Sequence, residues 1–282
     1  MTSSVSAVPS DAASDYDRST AITPFEGGWT VDLDGSWSIG GFLNGGYLLV
    51  PMCRAAVEAT GMPDTLAVTA TFLSPPSSGS AEIRVTVPKR GRQSSVAEMV
   101  LHQGGRDHIR ATAVLGTLDD RNGPNLEAAT STVPPLEKCV SMHDRPGPNG
   151  VAAPEVFRHF EVRLAPDIGW LNGSRQGVVD NQEARIEGWT RFVDGRSADA
   201  TSLVLFADAF PPAVLDLYPA GWVPTLQYSV YVRGRPAPGW LQGSFTTQSM
   251  VGGLLEEDGE LFDSTGRLVA LSRQLALLLP PS

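Results

Sequence analysis

The sequence predicts an α+β fold built from two similar halves, and three observations carry that expectation. Residues 47–57 are apolar apart from Arg54, so the helix they form has no solvent face and belongs inside the molecule. Four runs follow with partial period-two alternation, rich in Val, Thr, Ile and Ala, as half-buried antiparallel strands are. The same order of strand, helix and four strands then recurs roughly 160 residues later, the mark of an internal duplication.

A short strand is expected over residues 29–33. Asn44 then has the right chemistry to cap the helix, its side-chain oxygen taking free N–H groups of the first turn. Pro51 removes one helical hydrogen bond and kinks or delays the helix there. Gly40, Gly41, Gly45 and Gly46 crowd the helix entrance and let another backbone or a ligand come close. An N–H-rich helix start suits an oxyanion or a polarised carbonyl, while close helix–sheet packing explains the glycines equally well. Gly61-Met62-Pro63-Asp64 stops the helix. Strands over 66–73, 81–87, 94–101 and 108–115 read as a meander, with turns at Pro75-Pro76, 89–92 and 103–106.

From 119 to about 154 Pro, Gly, Asn and Ser replace periodicity, as in a connection. The second half repeats the first: strands over 157–164 and 184–192, an apolar helix over 200–217 bent by Pro211-Pro212, then strands over 226–232, 240–247, 250–262 and 268–278. The expected division is a disordered tail over 1–20, one unit over 21–120, a linker over 121–154 and a second unit over 155–282.

Net charge is -10 with no basic stripe, which argues against nucleic acid as a partner. Cys53 and Cys139 are the only cysteines, so disulfides do not frame the fold and a reducing, cytoplasmic setting fits. The start of the chain lacks a basic region and an apolar run, so neither a signal peptide nor a membrane partner is expected. His102, His108, His143 and His159 lack metal-ligand spacing, and His102 and His108, flanking a turn, read as surface residues. With no metal pattern, nucleotide fingerprint or Gly-x-Ser-x-Gly elbow, no metal and no cofactor are expected.

Three stretches raise the reading to a family. They are the run from Gly40 to Gly46, Phe72-Leu73-Ser74-Pro75 leading to Arg90-Gly91-Arg92, and the run from Gly266 to Gln274. With the duplication, they make the chain resemble the double-hotdog acyl-CoA thioesterases of the acyl-CoA thioesterase II type. The resemblance implies two antiparallel sheets, each wrapped around one long central helix, with acyl-CoA at the junction hydrolysed to free acid and CoA. It also implies a carbonyl-polarising helix start, here Asn44, Gly45 and Gly46, and an Asp, a Thr and a Gln that place the water. The Gln falls on Gln274. The Asp position falls on Gln227, and the Thr position on Gln248, with Thr247 one β-bulge away.

Gln227 is a departure, because a neutral amide takes no proton from water near pH 7. Gln274 and Gln227 are then expected to orient the water, completed by Thr247 or Gln248. Asp208 offers a carboxylate in an apolar segment; it reads first as a solvated or paired helix-face residue and second as a base. Period two independently puts Gln274 on a face of small residues with Ala270, Ser272 and Ala276. Arg90 and Arg92 suit the phosphates of coenzyme A, or simply keep a hairpin tip soluble. Loss of the base also fits a second class, a non-catalytic acyl-CoA or fatty-acyl binding protein. The two sheets can pair edge to edge into one continuous surface with each helix on its inner face, and the edge strands left over make room for a homo-oligomer.

Overall fold

The structure, a computed structural model, describes residues 13–118, 126, 129–143, 154–168, 183–218 and 222–279. Its first element corrects the expected tail. Ser14 caps a short helix, α1 (Asp15–Ser19), and Tyr16 is buried beneath the Arg54 and Arg196 guanidiniums. Residues 1–12 of that tail lie outside the described residues.

Strands β1 (Thr23–Phe25), β2 (Gly28–Leu33), β3 (Ser38–Ile39) and β4 (Phe42–Leu43) lead into helix α2 (Gly45–Thr60). Asn44 caps α2 as expected, its side chain accepting the Tyr47 N–H at 2.8 Å. Gly61 ends it in the left-handed region at φ 71°, where a residue without Cβ carries no steric penalty. Ten of the residues from Gly46 to Ala56 are buried, so the helix is enclosed nearly all round. It runs through Pro51 without a break.

Strands β5 (Asp64–Phe72), β6 (Gly79–Lys89), β7 (Ser94–Gln103) and β8 (Arg106–Gly116) follow. The sheet order is β2-β6-β7-β8-β5, so β5 pairs with β8 rather than with its sequence neighbour β6, and the expected meander covers only the last three strands. His108 is buried, its ring bonded to Ser74 and to the Gln103 carbonyl; it is not the surface residue expected from its place beside a turn.

In the second half come β9 (Val140–Ser141), β10 (Phe160–Leu164), β11 (Ala184–Phe192), helix α3 (Ser202–Phe206), β12 (Thr225–Val232), β13 (Leu241–Thr247), β14 (Met250–Val251), β15 (Leu254–Phe262) and β16 (Leu268–Leu277). The expected strand over 250–262 is a hairpin, because Gly252 and Gly253 turn the chain at φ 60° and 82°. The expected long helix over 200–217 is also absent. Proline lacks the N–H and holds the preceding residue extended, so the chain leaves the helix before Pro211-Pro212 and resumes only as a 3-10 turn, Ala213–Asp216.

The two antiparallel sheets are not separate but join edge to edge, as two halves with unpaired edge strands can. β5 pairs antiparallel with β12, placing Thr69 opposite Ser229 with their hydroxyls 2.9 Å apart. The result is one 14-stranded sheet whose inner face holds α2 and α3 side by side. One buried cluster draws on both halves, from Trp37, Tyr47 and Met52 to Phe160, Phe206 and Val230. No helix among the described residues is long and apolar enough to cross a membrane.

Candidate active site

The start of α2 meets the end of α3 at Gly46. A Cβ added there would stand 2.9 Å from the Val204 carbonyl oxygen and 3.0 Å from the Leu205 Cα. Only glycine lets the two backbones come this close, and the approach delivers Asp208 to the helix entrance. Asp208 Oδ2 accepts the Gly46 N–H at 2.8 Å and the Asn44 Nδ2–H at 2.9 Å, and Asn44 also donates to the Asp208 carbonyl. The glycines therefore serve both of the readings open at the sequence level. They permit close packing, and they present N–H groups to an anion, but that anion is the protein's own carboxylate.

Burial pushes the Asp208 carboxyl up to about 6, against the pull of the Gly46, Asn44 and Gly45 donors. Desolvation disfavours the charge, and the helix start offsets part of that cost. Asp208 is thus half-buried and held by Asn44 and Gly46 rather than exposed on a helix face or paired to an arginine, the reading favoured from sequence.

Asp208 lines a cavity of about 410 Å³. Its walls include Leu43, Leu48, Phe72, Phe210, Leu215 and Leu226, and its polar side chains are Asn44, Ser74, Asp208, Thr225 and Gln274. At the mouth, the Phe42 and Trp222 rings meet at 5.0 Å, tilted by 35°, while each stays more than a third exposed.

Gln274 is 7% exposed and accepts the Thr225 hydroxyl at 2.7 Å on Oε1. Its Nε2 donates to Glu257 at 2.6 Å. Glu257, Gln274, Tyr228 and Ala70 stand in register across β15, β16, β12 and β5. Ala213, the first residue of the 3-10 turn after the prolines, donates its N–H to the other oxygen of Glu257. Burial pushes the Glu257 carboxyl up to about 7.

The remaining expected site residues do not converge here. A bulge between Thr225 and Gln227 shifts the register of β12 against β16, so Gln227 pairs with Leu275 on the outer face and Tyr228 takes the inner position beside Gln274. Gln227 is exposed and lines an outer hollow of about 790 Å³ that Gln274 also borders, where Arg273 pairs with Asp258 and Arg185 with Glu187. Gln248 is exposed, its backbone N–H on Glu256. Thr247 is buried, and its hydroxyl has no hydrogen-bond partner among the described residues. Arg90 donates to the Ala59 and Thr60 carbonyls and so caps the far end of α2. At 16 residues and about 1.5 Å per residue, that end lies roughly 24 Å from Asn44, and Arg92 is exposed on the same turn. Sequence reasoning passed over Glu257 and Thr225. A signal for Glu257 existed: period two aligns it with Leu255, Gly259 and Leu261, a carboxylate on an apolar face. Among the described residues, no group of three or more His, Cys, Asp or Glu side chains has the spacing of a metal site.

A continuous sheet built from two similar halves, with an apolar cavity at the helix entrance, agrees with the double-hotdog resemblance of the sequence. Two family models match the chain, the acyl-CoA thioesterase N-terminal domain over residues 33–116 and the C-terminal domain over residues 136–278. The chain belongs to the double-hotdog acyl-CoA thioesterase family. It is 28% identical over 272 residues to an uncharacterised protein of Mycobacterium tuberculosis, with 92% of each chain covered. A provisionally assigned thioesterase II of Thermobifida fusca is similar in structure, with a TM-score of 0.84 at 29% identity, over 95% of this chain and 98% of that one. An acyl-CoA thioesterase II, TesB2, of Mycobacterium marinum shares the fold at a TM-score of 0.69 and 18% identity, over 95% and 99% of the two chains.

Proposed function

We propose that the chain hydrolyses acyl-CoA thioesters to the free acid and CoA, with Asp208 as the base and Gln274 as the residue that orients the water. The observation that carries this is the presence of one half-buried, hydrogen-bonded carboxylate and one fixed amide in the wall of a single apolar cavity. The acyl chain occupies the apolar cavity, and the thioester enters past Phe42 and Trp222. Water attacks the carbonyl carbon while its proton passes to Asp208; the C–S bond then breaks, and the thiolate leaves with that proton. Asn44 and Gly46 both engage Oδ2, so neither bond occupies the other oxygen, Oδ1. In this reading the Gly45 and Gly46 amides hold the base rather than polarise the carbonyl. Residues 21–120 and 155–282 act as two hotdog units joined through 121–154, and no cofactor takes part.

The test is thiol release from acyl-CoAs of graded chain length. Asp208→Asn and Gln274→Ala are each expected to lower kcat by about 10²–10⁴-fold, the usual share of general-base catalysis and water placement. Gln227→Ala, on the outer face, leaves kcat within about twofold, as surface substitutions away from a site usually do. Acyl-CoA binding without thiol release from the wild type would select the non-catalytic binding reading instead.

A further inference from the structure

Gln274 can face the cavity in two ways, oxygen inward or nitrogen inward, and the two have opposite chemistry. An amide oxygen accepts a hydrogen from water, whereas an amide nitrogen donates one. Two neighbours touch this amide. The Thr225 hydroxyl can donate or accept, so it fits either orientation. An ionised carboxylate only accepts, so Glu257 fits only the orientation with Nε2 toward it, as found at 2.6 Å. Glu257 is itself held, because its other oxygen takes the Ala213 N–H and its side chain is buried on the inner face.

We propose that Glu257 is a positioning residue of this site, its carboxylate fixing which end of the Gln274 amide meets the water. Through this contact the 3-10 turn after Pro211-Pro212 is coupled to the cavity. Nothing in the resemblance assigns a role to this position. The inference rests on the hydrolytic reading above for its kinetic consequence, though not for the orientation itself. The charged and titratable groups near Glu257 are Asp208 just past α3, Tyr228 on β12 and, on the outer face of its own strand, Asp258, and Asp216 lies on the 3-10 turn that caps it. Asp208 and Asp258 raise the cost of its charge, as does burial. Once Glu257 gains a proton, its O–H can donate to Gln274 Oε1, and the amide is free to turn over.

The experiment uses two readouts on the full chain. In the first, the Gln274 side-chain amide is followed by 15N NMR, its resonance identified by loss in Gln274→Ala. A downfield proton whose shift titrates near pH 7 and collapses in Glu257→Gln is expected. A resonance unchanged between pH 5 and pH 9, or unchanged in Glu257→Gln, would overturn the proposal whether or not the protein hydrolyses thioesters. In the second, Glu257→Gln is expected to lower kcat by roughly 10- to 100-fold, the scale of a small misplacement of reacting groups, with KM within about threefold. The wild-type fall in kcat below pH 7 should involve two protons, reduced in Glu257→Gln to one near pH 6, with partial recovery in Glu257→Asp. A Glu257→Gln protein with lowered Tm but the wild-type kcat and pH profile would make Glu257 structural only. A wild type that releases no thiol would instead fail the hydrolytic reading, leaving the NMR result to decide the orientation.

Discussion

Two carboxylates on the inner face link the stability of the fold to pH across the neutral range. Asp208 and Glu257 are both held above their ordinary values, at about 6 and about 7, by burial. A raised carboxyl takes up its proton more readily folded than unfolded, so its contribution to stability is complete below the unfolded value and lost as pH climbs through the folded one. The window here runs from about 4 to about 7. Asp17, held down to about 2 by Arg196, Ser14 and Arg54 against its own desolvation, acts only below that window. His159, whose burial lowers its value, works in the opposite sense inside it. A comparison with the Asp208→Asn, Glu257→Gln double variant cancels the histidine. The variant should gain stability over the wild type as pH rises from 4 to 8, by on the order of a few kcal/mol. Urea midpoints at the two pH values check this, and a pH-independent difference would contradict it.

At the scale of elements, the two helix entrances differ in what their sequences revealed. Asn44, Gly61 and the all-round apolar run made α2 readable to within a few residues, because caps and periodicity are local properties. α3 was over-extended, because an apolar run fits a helix or a buried loop alike and only Pro211-Pro212 marked the break. Gln227 entered only through the resemblance, and nothing along its strand marks the bulge, set by pairing with β16, that turns it to the outer face. Gln274, counted from within an unbroken strand, came out on the right face. Asp208 needed a partner helix 162 residues away in sequence, so nothing local could separate a base from a surface aspartate. The close crossing itself is testable. Gly46→Ala forces a methyl against the Val204 carbonyl and Leu205 backbone and should cost about 1–3 kcal/mol, as overpacking does. Against the roughly 1 kcal/mol that alanine gains over glycine in a helix, the net is a loss of up to about 2 kcal/mol, since the neighbours here are backbone atoms that cannot swing aside. Denaturant unfolding with an unchanged or raised midpoint would contradict the crossing.

For the whole molecule, duplication was legible but fusion was only partly so. The repeated order of strands and helix follows from composition along the chain, whereas the β5–β12 junction is a pairing between edges whose partners no local pattern names. Because Val68 and Val230 are buried opposite each other at that junction, and the core cluster crosses it, the halves should unfold together. Fluorescence and far-UV circular dichroism are expected to report one coincident denaturant transition. Two separated transitions would mean that the halves are independently stable.

That a half-buried aspartate at the meeting of two helices performs the chemistry is tested most directly by one measurement, the kcat of Asp208→Asn for acyl-CoA hydrolysis alongside its affinity for the same acyl-CoA. The expected result is a loss of about 10²–10⁴-fold in kcat with affinity retained, since the amide keeps its size and can still accept from Gly46. Wild-type turnover by Asp208→Asn would contradict the assignment and return Asp208 to a purely structural role.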